Sequence, residues 1–231
     1  MKPSKIITII LVLVVVIFIG YYAKRKFYDP AAKVKQAGKE IEALTAKEDI
    51  QNGDMIFQSS ISPQCEAIKL ATNSEYTHCG IIFKIGNEIT VYEAVQPVKI
   101  TPLNKWIARG QDGHFVIKRL KNSSKVLNEN VVSDMISEAE MMKGKKYDIY
   151  FGWSDEKIYC SELIWKIYKR AANIEVGKLQ KLKEFDLTSK TVKSVMDERY
   201  GNDIPYEETV ISPASIFDSE LLMEVYSNKK K

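Results

Sequence analysis

The stretch Tyr76–Val95, YTHCGIIFKIGNEITVYEAV, carries two runs rich in β-branched and aromatic residues on either side of Gly86-Asn87. A two-residue Asn/Gly loop between such runs is the sequence signature of a β-hairpin. In that hairpin Ile85 pairs with Glu88, and the same register continued down the ladder brings Gly80 opposite Glu93. Strand alternation puts His78 on the side of Gly80, so Glu93 becomes its diagonal neighbour, roughly 7–8 Å away backbone to backbone. A glutamate side chain bridges that gap. It can hold one imidazole nitrogen, fix the tautomer and leave the other nitrogen for a nucleophile, with Gly80 keeping the space clear. Cys79 points to the opposite face and is expected in the core.

Working outward, NGDMIFQ (52–58) and HFVIKRL (114–120) read as further strands, and Pro63–Thr72 as a short helix with proline in its first turn. Asn128 to Gly144 reads as a helix, and SPASIFDSELLMEVY (212–226) as a last helix capped by Ser212. Strands clustered between helical regions imply an α+β fold rather than alternating βαβ units.

KIYCSELIW (157–165) places Cys160 where an amphipathic helix begins, with Leu163, Ile164, Ile167, Tyr168 and Ala171 on one face. Unpaired N–H groups and the positive end of the dipole favour a thiolate there. A free cysteine is also a common core residue, but with His78 and Glu93 apposed, Cys160 is the candidate nucleophile. His114 is the rival base, with Asp112 as its nearest carboxylate in sequence. Cys65 reads as packing.

Three cysteines leave at least one free thiol, and with two histidines no zinc pattern is present; neither metal nor cofactor is expected. The net charge of +4 is spread without a basic, aromatic-interleaved face, so no nucleic-acid partner is expected. Residues Ile6–Ala23 are uncharged and would span ~27 Å as a helix. Flanking lysines and Tyr21-Tyr22 mark them as a retained membrane anchor (1–28), since no small-x-small cleavage site follows. Similar positive charge on both sides leaves the orientation open. Residues 29–50 suit a helical stalk or a helix lying on the domain surface, 51–226 the folded domain, and 227–231 a basic tail.

GDMIFQ, YTHCGIIF, VYEAV, GKKYDIYFGWSDEKIYCSELIW and ISPASIFDSELLMEV, in this order, resemble the circularly permuted papain-like cysteine hydrolases of the YiiX/YebB type, relatives of the NlpC-type peptidases. The resemblance implies a small antiparallel sheet or partial barrel packed against helices. It also implies Cys160 as nucleophile, His78 as base, Glu93 as its orienting residue, and a domain outside the cytoplasm. Tyr76 and Tyr159 are candidates for a second oxyanion donor; Tyr147, Asp148, Phe151 and Trp153 for the substrate approach. A peptide or amino-acid amide is the expected substrate. The alternatives are acyl transfer from lipids and a non-catalytic, membrane-tethered binding module. An apolar groove beside the thiol would fit acyl groups; a short charged pocket would fit peptide ends.

Overall fold

The computed structural model describes residues 29–46 and 49–229. The anchor expected at Ile6–Ala23 lies outside them. No helix among the described residues is long and apolar enough to cross a membrane.

Among the described residues one six-stranded sheet organises the chain: β1 (Met55–Gln58), β2 (His78–Ile85), β3 (Glu88–Glu93), β4 (Lys99–Pro102), β5 (Val116–Leu120) and β6 (Leu222–Ser227). The spatial order is β6-β5-β1-β2-β3-β4, and every neighbouring pair is antiparallel. The hairpin register is the expected one, running from Ile85 opposite Glu88 to Ile81 opposite Tyr92. Gly80 is required by close approach, because a Cβ there would lie 2.3 Å from Val91 Cγ1 and 2.9 Å from the Tyr92 carbonyl oxygen.

Alternation along the strands divides the core between two faces. On one, Met55, Phe57, Cys79, Ile81, Phe83 and Tyr92 pack against Leu163, Ile164, Ile167 and Tyr168. The opposite face, with Ile56, Ile82, Val91 and Ile117, takes Leu103, Trp106, Ala37 and Leu44.

Among the described residues the α-helices of five residues or more are α1 (Pro30–Ala46), α2 (Pro63–Thr72), α3 (Leu103–Ala108), α4 (Glu129–Met142), α5 (Cys160–Ala172), α6 (Lys190–Tyr200) and α7 (Pro213–Phe217). Helix α1 is the surface-lying alternative rather than a free stalk. Ala37, Ile41 and Leu44 recur at helical spacing and bury against Trp106 and Ile107.

The last helix ends earlier than its sequence implies. It stops at Phe217, and Leu222–Ser227 form the edge strand beside β5, with a register shift between Glu224 and Tyr226. Apolar runs of this length fit either period, and the unpaired edge of β5 decides between them. The expected basic tail accordingly begins inside a strand, and residues 230–231 lie outside the described range. Helix α6 falls in a stretch that reads as merely polar. Its local signals are an N-cap at Ser189, apolar Val192, Val195 and Met196, and Gly201 at the C-cap.

Candidate active site

Helix α5 lies across strand β2, so the start of one meets the start of the other. Cys160 is its first residue, with Tyr159 at the N-cap; the Tyr159 N–H donates to Glu162 Oε2 at 3.3 Å. Glycine-free packing of Leu163, Ile164 and Ile167 onto the sheet fixes the helix, and its first turn fixes the thiol.

His78 opens β2. Its Nε2–H donates to Glu93 Oε2 at 2.8 Å, the diagonal contact anticipated from the hairpin. The imidazole stacks on Trp106 with centroids 5.7 Å apart, leaving Nδ1 for the thiol. Glu93 is fully buried and held on its other oxygen by Thr101 Oγ1 at 2.6 Å and by Arg109 at 2.5 Å. Neither Thr101 nor Arg109 was legible as part of the site. Thr101 sits on β4 opposite Val91, one strand beyond the hairpin, and Arg109 follows α3.

These contacts set the charges. Burial alone would raise the Glu93 carboxyl, but His78, Thr101 and Arg109 outweigh it and hold the pKa down at about 2. Burial also opposes the imidazolium. The sulfur of Cys160 and the Glu93 carboxylate prevail over it and raise His78 to about 10. The Cys160 thiol is lowered well below its ordinary value, first by a hydrogen bond from the Cys79 thiol and, against burial, by His78 and the Cys79 backbone N–H. Burial and the Cys160 charge push the Cys79 thiol up, so it stays protonated as a donor. Cys79 is in the core as expected, yet it also faces the Cys160 thiol. Alternation sorts side chains by face and does not foresee that α5 covers that face. Both shifts favour a thiolate at Cys160 and an imidazolium at His78.

The remaining candidates separate. Tyr147 and Phe151 line a cavity that reaches Cys160, and burial together with the Cys160 charge raises the Tyr147 hydroxyl pKa. Asp148 does not approach the thiol. Its carboxylate accepts from the Tyr150 and Gly152 N–H groups at 2.9 and 3.0 Å, an arrangement that shapes the loop. Trp153 packs on Trp165, 5.2 Å between centroids. Tyr159 accepts from the Ile211 N–H at 3.0 Å, and Tyr76 stacks on Phe217, 4.1 Å between centroids. His114 bonds Asn228 through Nδ1 at 2.9 Å in a separate surface depression with Glu75, Tyr76 and Lys229. Cys65 meets Ser60 Oγ at 2.9 Å.

The cavity beside Cys160 has a volume of about 100 Å³ and opens between α2, α6 and residues 210–213. Its walls are almost entirely apolar, not the short charged pocket that would fit peptide ends.

A family model described as permuted papain-like amidase enzyme, YaeF/YiiX, C92 family, matches residues 49–226. The chain is 46% identical over 175 residues to the uncharacterized protein YiiX of Escherichia coli strain K12, covering 76% of this chain and 85% of that one. A crystal structure described as the metalloprotein YiiX from Escherichia coli O157:H7 matches with a TM-score of 0.75 at 44% identity, covering 78% of this chain and 98% of the other. Among the described residues here, no three His, Cys, Asp or Glu side chains gather so that they could hold a metal ion. The donor set described does not fit a metal centre.

Proposed function

This chain belongs to the YaeF/YiiX family of permuted papain-like amidases, which are cysteine hydrolases, and from that premise we propose that Cys160, His78 and Glu93 are its catalytic triad. The observation that carries the reading is the 2.8 Å bond from His78 to buried Glu93, and the opposite pKa shifts of Cys160 and His78, each favouring the charged form of the other, support it. Chain order plays no part in such chemistry, which depends on the geometry of the three groups.

The Cys160 thiolate attacks an amide carbonyl, and the oxygen's developing charge is met by N–H groups at the start of α5. His78 gives its proton to the leaving amine, which departs as the thioester forms. Water then attacks the thioester while His78 takes a proton from it. The acid leaves and the thiolate returns. Glu93 keeps the imidazole oriented through both halves and stabilises its charged form before the amine leaves and after water is deprotonated. The peptide-type amide is the substrate class that the family supports, and the uncharged segment Ile6–Ala23 would hold the domain at a membrane, on its extracytoplasmic side.

The test is alkylation of Cys160 by iodoacetamide as a function of pH, read by mass spectrometry on the peptide containing it, in the parent and in His78→Ala. Fast labelling well below pH 8 that slows without His78 is expected. Labelling that follows an ordinary thiol and ignores His78 would reduce the site to a core cysteine and favour the binding module. Carbonate extraction of the full chain and of a chain lacking residues 1–28 tests the anchor.

A further inference from the structure

The cavity at Cys160 has a side. Its wall includes Ala67 and Ile68 of α2, Val192 and Met196 of α6, and Leu182 and Ile211 from the segments beside them, whereas neither His78 nor Glu93 lines it. The polar side chains that line it all have partners: Thr72 Oγ1 and Ser161 Oγ donate to the Ile68 and Ile211 carbonyls, and Ser212 Oγ and Tyr159 Oη accept from the Ser215 and Ile211 N–H groups. Gln64 Nε2 donates to Tyr147 Oη at 3.2 Å, Arg199 donates to Gln64 Oε1 at 3.0 Å, and the Arg199 guanidinium lies 5.2 Å from the Phe151 ring centre. What remains facing the space is hydrocarbon and the nucleophile's own residue.

A leaving amine must come within hydrogen-bond reach of the group that protonates it, and that group is His78. The amine therefore departs on the imidazole side of Sγ. Cys160 lines the cavity and His78 does not, so the half of the substrate that the cavity can hold is the acyl half, which stays attached through the thioester. We propose that this cavity is the acyl subsite and that it selects substrates whose acyl half carries a small aliphatic group of about four carbons. This rests on Cys160 acting as the nucleophile. The size follows from the volume of about 100 Å³, set against the roughly 150 Å³ cavity that accommodates benzene. Met196 gives the wall some adaptability, because an unbranched thioether fills irregular space.

In the reaction the Sγ–C bond forms as C–N breaks, and the imidazolium proton leaves with the amine. Water supplies hydroxyl to the acyl carbon and a proton to His78. The apolar group changes none of this; it holds the carbonyl over Sγ during both steps.

The experiment measures kcat/KM of the full chain for a series of acyl p-nitroanilides from acetyl to octanoyl, and for leucyl, lysyl and glutamyl p-nitroanilides. Each added methylene should raise kcat/KM roughly fourfold, so butyryl should exceed acetyl by roughly fifteenfold, with no further gain beyond about five carbons. Leucyl should exceed both charged aminoacyl anilides; a response in only one series tells an acyl chain from an aliphatic side chain as the natural group. Ala71→Trp, at the partly exposed rim of the cavity, should bring the butyryl-to-acetyl ratio near one while iodoacetamide still labels Cys160 at the parent's rate. A flat profile, or a preference for lysyl or glutamyl groups, would overturn the acyl subsite and leave the hydrolase standing. Absence of turnover throughout, with labelling of Cys160 indifferent to His78→Ala, would overturn both.

Discussion

Replacing Glu93 by glutamine tests the site at the point where its charge is set. His78 stands at about 10, against an ordinary 6.5, a difference worth about 5 kcal/mol between the charged and neutral imidazole. Two anions, the Cys160 thiolate and the Glu93 carboxylate, produce it against the penalty of burial. One opposite charge at this range contributes about 1–3 units. Glutamine removes that charge and adds a directional problem. Thr101 and Arg109 both donate to Oε1, so they retain the amide oxygen and turn the NH2 toward His78. Nε2 then has to accept rather than donate, which favours the neutral ring. The pH profile of kcat/KM reports ionisation of the free enzyme, and the alkaline limb is loss of the imidazolium proton. It should fall from about pH 10 to roughly 7–9 in Glu93→Gln. At pH 8 the shifted limb alone costs up to about tenfold, and with the ring held in the wrong tautomer the drop should reach about 10²–10⁴-fold, the upper figure being that of a serine triad whose carboxylate becomes an amide. The same shift appears in stability. The folded-state pKa of His78 lies above its unfolded value, so its contribution is fully present below pH 6.5 and lost as pH rises through about 10. Melting temperature should therefore decline less between pH 7 and 10 in the variant than in the parent. An alkaline limb within half a unit of the parent's, in a variant with a native circular dichroism spectrum, would refute the assignment of Glu93 as the group that charges His78.

Removing the thiol donor in Cys79→Ala should raise the Cys160 pKa by about one unit or more, since a hydrogen bond to a charged acceptor is worth about 1.5–3 kcal/mol; the alkylation midpoint of the Cys160 peptide reads it, and an unmoved midpoint would remove Cys79 from the site. Glu162 is fully buried, and burial raises its pKa to about 7 despite Lys166. Because the folded value exceeds the unfolded 4.5, up to about 3 kcal/mol of stability present below pH 4.5 should be lost by pH 7, and urea titrations of Glu162→Gln should not show that loss. Asp148→Ala frees the Tyr150 and Gly152 N–H groups and should raise KM more than it lowers kcat, by loosening the wall that carries Phe151; a change confined to kcat would instead place Asp148 in the chemistry.

The proposed triad and the proposed acyl subsite differ in how the chain encodes them. His78 and Glu93 are joined by a two-residue turn, and Cys160 announces itself through the periodicity of its own helix, so each half of the triad is a local pattern. The contacts that charge it are less local. Thr101 arrives by one more strand, Arg109 by the helix after that, and Cys79 meets the thiol only because α5 is laid on the face that alternation assigns to the core. Asp148 and Trp153, close to Cys160 in sequence, are turned to loop and core instead, since nearness along the chain carries no direction. The cavity is the extreme case. Its walls come from 64–72, 147–161, 182–199 and 210–213, including a helix with weak periodicity and a segment whose terminal strand reads equally well as helix. An apolar residue in any of these stretches looks like ordinary core. The cavity itself exists only where α2 and α6 come together beside Cys160, so a role for it as a surface for substrate is not encoded in any one stretch. Reaction type is thus written in short-range patterns, because a proton relay needs only a few groups at hydrogen-bond distance. Substrate preference is written in the assembly, because the space that confers it belongs to no single element.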